Sequence, residues 1–163
     1  MLRCAEYGIY ERTLIFSLKY NGKKYIARDI AAMMKDRLAL AGVDYDVIVP
    51  VPMNRAKEQR RGFNQTSLIG KYLAKACGKD FLPSALRRTK NTAPMRGLSP
   101  TEREINVRGC FVADENSREK LRGRRVLLLD DFYTTGATAL ECYRALAPDE
   151  PADVIFIAFA AKY

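Results

Sequence analysis

The sequence predicts a single α/β domain built on a mostly parallel central sheet with helices on both faces. Short, unbroken apolar runs rich in Val and Ile occur at 46–52, 126–130 and 154–160, and such runs are typical of strands covered on both faces. Segments with helical apolar spacing separate them, and this alternation favours parallel strands joined by right-handed crossovers. The length of 163 residues suits one domain, 1–163, without an internal repeat or linker.

Three helices are predicted, over residues 27–41, 65–77 and 137–146. In the first two, the apolar residues recur at three- and four-residue intervals and so form one stripe. Residues suited to helix ends flank the first two: Gly42 and Gly78 follow them as stops, and Asn64 precedes the second as an N-cap. The third runs into a turn with two prolines.

Composition excludes several classes of protein. With no histidine in the chain, His-based metal sites and Ser-His or Cys-His catalysis are impossible. The four cysteines are scattered without a CxxC pair, which argues against a zinc knuckle or a disulfide framework and fits a reducing compartment. No apolar run is long enough for a membrane span, and the first residues lack a signal-peptide layout. We therefore expect a cytoplasmic protein without membrane insertion.

The net charge of +9 is concentrated in the middle third of the chain. Residues 55–108 contain 13 Lys and Arg against 4 Asp and Glu, whereas the flanks together are neutral. Two interpretations stay open: a solvated basic surface, or a site for a polyphosphate or nucleic acid.

The segment 87–108 interrupts the alternation of strands and helices. It is polar and basic, and two prolines and a glycine punctuate it. A loop of this length inside a compact domain is usually functional or disordered. We predict a mobile loop here, with disorder alone as the alternative.

The stretch VLLLDDFYTTGAT, residues 126–138, carries most of the functional information. Asp130 and Asp131 end a predicted strand, and ligands of parallel α/β sheets bind beyond such ends. Two adjacent carboxylates repel each other, so they need a shared partner, either a metal or ligand hydroxyls. The following TTGAT opens a helix, whose free N–H groups suit a phosphate. Neither GxxxxGK[ST] nor GxGxxG is present, which excludes the P-loop and dinucleotide-binding alternatives.

This stretch resembles the phosphoribosyl-pyrophosphate (PRPP) signature of type I phosphoribosyltransferases. The resemblance implies that Asp130 and Asp131 bind the ribose hydroxyls and are the catalytic acids. It assigns the 5′-phosphate to Thr134, Thr135, Gly136, Ala137 and Thr138. It also implies Mg²⁺ as cofactor, held mainly through the PRPP ligand.

Three further segments, 14–31, 49–65 and 86–111, are similar to ComF-type competence proteins, a branch of this superfamily linked to DNA uptake. That layout implies a hood and first helix in 1–43, a PRPP-binding core in 44–163 and a loop, 87–108, that closes over PRPP. It places pyrophosphate at the turn after 46–52, where we expect Arg55, Arg61, Arg88 and Lys90 to bind it.

Two features depart from the ComF pattern. The family's four-cysteine zinc module is absent, since only Cys4 lies near the start, as expected for a shorter relative or a piece of a longer protein. In the loop, Met95 replaces an expected Gln after Thr92-Ala93-Pro94.

The resemblance implies a phosphoribosyltransferase that releases pyrophosphate, although the sequence selects neither an acceptor nor a general base. The alternative is a non-catalytic PRPP or nucleotide sensor, or a module that binds single-stranded DNA with the competence machinery. A homodimer is compatible with either function.

Overall fold

The computed structural model describes residues 1–6, 8–20, 22–90, 92 and 97–162. Its main sheet has five strands in the order β1-β7-β6-β2-β3, and every neighbouring pair is parallel. The strands are β1 (Leu2–Glu6), β2 (Val47–Pro50), β3 (Asp80–Phe81), β6 (Arg125–Tyr133) and β7 (Asp153–Ala161). Two short antiparallel strands, β4 (Leu86–Arg88) and β5 (Phe111–Ala113), form a separate ribbon.

Seven α-helices connect these strands: α1 (Ile9–Tyr20), α2 (Ile26–Leu40), α3 (Arg55–Arg61), α4 (Gln65–Cys77), α5 (Pro100–Val107), α6 (Arg118–Leu121) and α7 (Ala137–Leu146), counted over the residues just given. None of these helices is both long and apolar enough to cross a membrane.

Two apolar cores cover the two faces of the sheet. Leu127 and Leu129 of β6 belong to a core shared with α1, α2 and α4. Val126 and Leu128 belong to the other core, which includes residues of β4, β5 and α7. Successive strand residues point to opposite faces, so the unbroken apolar run of β6 serves both cores.

The predicted α/β architecture and the three helices are confirmed. The side chain of Asn64 caps α4 by accepting hydrogen bonds from the N–H groups of Thr66 (3.0 Å) and Ser67 (3.5 Å). Gly78 ends that helix at φ 62°, in the left-handed region that glycine tolerates best. Strand β6 is longer than predicted: it continues through the two aspartates to Tyr133 because β7 runs beside it as far as Ala161.

The loop predicted over 87–108 is wrong in part, because Pro100–Val107 form helix α5. A capping box starts this helix: Ser99 Oγ accepts from the N–H of Glu102 at 3.3 Å, and the Glu102 carboxylate accepts from the N–H of Ser99 at 2.7 Å. The mobility of the segment stays a prediction. The departure at Met95, together with Ala93 and Pro94, lies outside the described residues.

The N-terminal segment predicted as a hood is continuous with the main sheet. Strand β1 pairs in parallel with β7, and α1 packs on the core formed with α2 and α4. The last turn of α1 carries Lys19 to the edge of the sheet where the strands end. The segment thus contributes both to the sheet and to the candidate site.

Candidate functional site

Strand β6 divides two cavities at the carboxyl edge of the sheet. Asp130 lines one of them. Asp131 points to the other face of the strand, where it contacts Lys19 and Gln65, two residues that line the second cavity. The alternation of strand side chains separates the two carboxylates in this way, so one signature motif serves two cavities.

The first cavity, called the loop cavity here, has a volume of about 560 Å³. Its lining residues are Arg12, Gly97, Arg103, Asp130, Phe132, Tyr133, Thr134, Thr135, Gly136, Ala137, Thr138, Ala139, Phe156 and Lys162. All five residues of the predicted phosphate loop are therefore in this lining. Tyr133 packs its ring on Phe156, with 5.6 Å between ring centroids, and so forms a wall of the cavity.

The start of α7 presents backbone N–H donors to the loop cavity. Gly136 is the N-cap and has no side chain to accept a hydrogen bond, and the one side-chain acceptor recorded there is Thr135 Oγ1, 3.5 Å from the N–H of Ala137. The φ angle of Gly136 is 81°, and a Cβ at this position would lie 2.6 Å from the Tyr133 hydroxyl oxygen. Only glycine fits both the backbone and the space. A helix start with open N–H groups at a cavity is suited to an anion.

The second cavity, called the basic cavity here, has a volume of about 690 Å³. Its lining residues are Lys19, Tyr20, Gly22, Lys24, Met53, Lys57, Arg60, Arg61, Phe63 and Gln65. Within the described part of the chain, this lining holds five cations and no carboxylate. The walls come from α1, from the connection between α1 and α2, and from the α3–α4 hairpin with the segment before it.

Two asparagines fix the α3–α4 hairpin against the end of β2. Asn54 caps α3 by accepting from the N–H of Lys57 at 3.2 Å. Asn64 is buried, and its side-chain amide donates to the Val51 carbonyl at 3.3 Å. Between the helices, Gly62 reverses the chain at φ 81°. This turn directs the cations of α3 into the basic cavity.

A chain of side-chain contacts joins Asp131 to the basic cavity. Lys19 Nζ lies 2.5 Å from Asp131 Oδ2, and Gln65 Nε2 donates to the same oxygen at 3.1 Å. The Gln65 carbonyl oxygen in turn accepts a hydrogen bond from Arg61. Asp131 is 5% exposed, so its charge is compensated inside the protein rather than by water.

The two aspartates differ in acidity for identifiable reasons. Burial and the neighbouring Asp131 carboxylate raise the pKa of Asp130 well above its ordinary value. Burial also raises the pKa of Asp131, but the ion pair with Lys19 and the hydrogen bonds outweigh it, and the net pKa is lowered. Compared with an ordinary aspartate, Asp130 thus holds its proton more tightly and Asp131 holds it less tightly.

The charged side chains are paired differently at the two ends of the parallel strands. At the amino edge, Arg124 pairs with Asp80 and Arg125 with Asp46, each at 2.7 Å. At the carboxyl edge, Lys24, Lys57 and Arg60 form no ion pair with any described residue. Unpaired cations therefore line the basic cavity, and the loop-cavity residues Arg12, Arg103 and Lys162 likewise form no ion pair with a described residue.

The structure separates the four predicted pyrophosphate ligands. Arg61 lines the basic cavity. Arg55 is exposed at the start of α3, outside both linings. Arg88 stacks over the Phe111 ring at 5.4 Å, and Lys90 donates to the Arg108 carbonyl at 3.4 Å. Neither Arg88 nor Lys90 is in the lining of the loop cavity or the basic cavity.

Several lining cations were missed because they lie far from the motifs in sequence. Lys19, Lys24 and Lys162 are outside the basic middle third. A signal existed for Lys19 and Lys24, which fall in the segment 14–31 that resembles the ComF proteins. Arg12 and Lys162 carried no signal, since only folding brings them to the loop cavity.

The donor set fits Mg²⁺ only as an ion carried by a ligand. Among the described residues, no three Asp, Glu or Cys side chains converge on a common point. Asp131 is already paired with Lys19. Mg²⁺ commonly binds through few protein carboxylates and completes its shell with water and substrate oxygens.

Comparison with known families gives the class of protein. The family described as the phosphoribosyl transferase domain matches residues 20–163. The chain belongs to this family. Within the family it is of the ComF type, as predicted from the sequence, and its curated relatives carry competence and DNA-utilization names.

Three of these relatives show the extent of the likeness. Competence protein F of Haemophilus influenzae is 35% identical over 101 residues, which cover 62% of this chain and 44% of that protein. DNA utilization protein YhgH of Escherichia coli is 28% identical over 151 residues, covering 90% and 65%. Competence protein ComFC of Bacillus subtilis is 34% identical over 92 residues, covering 56% and 34%. The matches thus cover about half to two thirds of the first two relatives.

Solved structures confirm the predicted type I phosphoribosyltransferase fold. A glutamine PRPP amidotransferase from B. subtilis superposes with a TM-score of 0.53 at 21% identity, over 80% of this chain and 25% of that one. An adenine phosphoribosyltransferase from Leishmania donovani gives 0.52 at 14% identity, over 90% and 68%. At these identities the likeness concerns the fold alone.

Proposed function

We propose that this domain binds one PRPP molecule across the carboxyl edge of its sheet. The 5′-phosphate would lie in the loop cavity on Thr134–Thr138, and the ribose hydroxyls would face Asp130 and Asp131. The pyrophosphate would lie in the basic cavity. One observation carries the proposal: β6 presents its two carboxylates between a helix-start anion cradle and a cavity of uncompensated cations.

The charge of the basic cavity matches pyrophosphate well. Lys57, Arg60 and Arg61 all lie on α3 and together line one wall. Side-chain cations stabilise a departing polyphosphate because they face the charge that develops on it. When bound, Mg²⁺ would neutralise part of the same charge through pyrophosphate and ribose oxygens.

If the domain turns over, the reaction is displacement at ribose C1. A bond forms between C1 and the lone pair of an acceptor while the C1–O bond to pyrophosphate breaks. Pyrophosphate leaves with the electron pair, and the acceptor loses its proton to solvent. Such transfers pass through a positively charged, oxocarbenium-like centre, so the domain's part is to position the reactants in a closed site.

Thermal unfolding with and without PRPP and Mg²⁺ tests binding. A ligand present at about 100 times its Kd stabilises the native state by about 2.7 kcal/mol. The double variant Asp130→Asn/Asp131→Asn should lose this stabilisation because it lacks the charged acceptors for the ribose hydroxyls. An equal shift in the double variant would place the ribose elsewhere.

Turnover requires a separate assay. Pyrophosphate release from PRPP should be measured with purines, pyrimidines, amines and water as acceptors. Release with one acceptor class would identify an enzyme. PRPP binding without release from any of them would identify a sensor.

The basic cavity also favours a second function, the binding of single-stranded DNA. Lys24 lies over the Phe63 ring at 5.0 Å, and Arg61 lies over the Tyr20 ring at 5.2 Å. Cations combined with aromatic rings are typical of single-strand binding sites. The DNA-utilization name of the YhgH relative points the same way.

Fluorescence anisotropy with labelled single-stranded DNA distinguishes this function. The slope of log K against log salt should be roughly −0.7 for each phosphate neutralised. Pyrophosphate should compete with DNA for the basic cavity. DNA binding that resists pyrophosphate and is unchanged in Arg60→Ala/Arg61→Ala would exclude the basic cavity as the DNA site.

A further inference from the structure

Lys19 joins the basic cavity to the pair of aspartates at the end of β6. Its side chain lines the basic cavity, and its ammonium nitrogen lies 2.5 Å from Asp131 Oδ2. The side chain is 21% exposed, whereas that of Asp131 is 8% exposed. An anion that enters the basic cavity therefore reaches Lys19 from the open side, while Asp131 holds it from the buried side.

The pairing with Lys19 limits what Asp131 can do for a ribose. Lys19 and Gln65 both bind Oδ2 of Asp131. A carboxylate whose charge is already compensated is a weaker acceptor for a ligand hydroxyl than a free one, since charge-assisted hydrogen bonds are the stronger ones. A ribose that binds alone would thus depend mainly on Asp130.

A second contact ties the same aspartate to the basic cavity. Gln65 donates to Asp131 and accepts from Arg61, which also lines that cavity and lies over the Tyr20 ring. Lys19 and Gln65, the two partners of Asp131, are therefore both accessible to an anion bound in the basic cavity. A bound polyanion would compete for Lys19 and Arg61 together.

We propose that Lys19 is a positioning residue that couples the two cavities. An anion in the basic cavity draws the Lys19 ammonium away from Asp131 and frees that carboxylate for a ribose hydroxyl. Lysine suits this role because its flexible stem and three donors allow it to change partners. The proposal rests on the proposed function, because it requires ribose phosphate in the loop cavity and pyrophosphate in the basic cavity.

The test measures ribose 5-phosphate binding by calorimetry without pyrophosphate and then with saturating pyrophosphate. Couplings between sites commonly change affinity by about 5- to 150-fold, and we expect pyrophosphate to tighten ribose 5-phosphate binding by at least about fivefold. Lys19→Met and Asp131→Asn should each reduce this ratio to about one. Lys19→Arg keeps the charge and should retain the effect.

Lys24→Met is the matched control. Lys24 lines the same cavity but stacks on Phe63 and does not contact Asp131. Its loss should weaken pyrophosphate binding yet leave the ratio at saturation unchanged.

The outcomes separate the two proposals. If both ligands bind the wild-type protein independently, or if the coupling survives in Lys19→Met, Lys19 does not couple the cavities. A ratio of about one in the wild-type protein overturns the inference even where a variant fails to fold, and Lys19→Arg tests the role of the charge where Lys19→Met does not fold. If neither ligand binds, the proposed function itself fails, and the inference fails with it.

Discussion

The loop cavity and the basic cavity lie on opposite sides of β6 and differ in how they can bind an anion. The loop cavity offers backbone N–H groups at the start of α7, fixed in place by Gly136. The basic cavity offers five cationic side chains from the described residues, against three in the loop cavity, and a lysine on its flexible stem can change partners. A rigid cradle suits a ligand group that stays in place, such as a 5′-phosphate, and mobile cations suit a group that must leave.

The two aspartates repeat this contrast within one strand. Asp130 faces the loop cavity with a raised pKa, while Asp131 is held by an internal cation with a lowered pKa. In the free protein, the ionised form of Asp131 is therefore stabilised, whereas that of Asp130 is destabilised. Two identical residues of one motif can thus play different parts in the site.

We expect the largest effect when each aspartate is replaced in turn and the free energy of unfolding is compared. Removing one partner of a buried ion pair commonly costs about 3–5 kcal/mol. Because Lys19 keeps some exposure, we expect Asp131→Asn to lower the free energy of unfolding by about 3 kcal/mol at pH 7. Asp130→Asn should instead raise it, because it removes a buried carboxylate that is costly to ionise beside Asp131. Urea denaturation measures both.

The pH dependence of these two effects follows from the signs of the shifts. The lowered pKa of Asp131 stabilises the fold above the ordinary value of 3.8, and this contribution is lost as pH falls through the lowered pKa. The raised pKa of Asp130 makes its ionisation costly as pH rises above 3.8. Both substitutions should therefore lose their effect in strong acid. Equal changes of the same sign at pH 7 would contradict the comparison.

Gly136→Val should produce the next largest effect, and only in the loop cavity. The new Cβ would meet the Tyr133 hydroxyl in a left-handed backbone, so ribose 5-phosphate binding should weaken about 100-fold, or about 2.7 kcal/mol. Pyrophosphate binding should persist. Gly123→Val is the control, because Gly123 shares the positive φ, 66°, but has open space around it away from both cavities.

Salt should distinguish the cavities with a smaller effect. Exposed cations are screened strongly by salt, so pyrophosphate affinity should fall roughly tenfold between 0.05 and 0.5 M salt, more than ribose 5-phosphate affinity does. Lys57→Ala/Arg60→Ala should flatten this dependence. Lys71→Ala/Lys75→Ala removes the same charge from exposed positions of α4 outside the cavity lining and should leave the slope unchanged.

The smallest expected effect concerns α5, which brings Arg103 to the lining of the loop cavity. If residues 97–108 close over PRPP, their amide hydrogen exchange should slow several-fold on ligand binding, because exchange reports local opening. Helix α4 should exchange at the same rate in both states. Slow exchange of 97–108 in the free protein would make this segment a fixed wall.

The sequence predicted the fold well because local signals agreed with the global architecture. The bounds of α4 and α7 agree with the prediction. For α4 the signals were local, since the Asn64 side chain caps its start and Gly78 tolerates the left-handed backbone at its end. Strand β6 was underestimated at its end because polar residues there are paired with β7 rather than left in a loop.

The candidate site was less predictable than the fold. The loop cavity follows from one contiguous motif, so all its predicted phosphate-binding residues lie together. The basic cavity is assembled from α1, the connection between α1 and α2, and the α3–α4 hairpin. Nothing in the spacing of Lys19 and Asp131 indicates that they touch. The helix α5 was missed although its capping box was present, because the prolines and charges around it dominated the interpretation.

Calorimetric titration with PRPP and Mg²⁺ tests most directly whether the two cavities hold one ligand. We expect one PRPP per chain, bound more tightly than ribose 5-phosphate or pyrophosphate alone because one molecule uses both cavities. Bound PRPP should prevent the binding of each of these halves. Simultaneous binding of PRPP and pyrophosphate, or two equivalents of PRPP per chain, would show that the cavities are independent sites and would contradict the account.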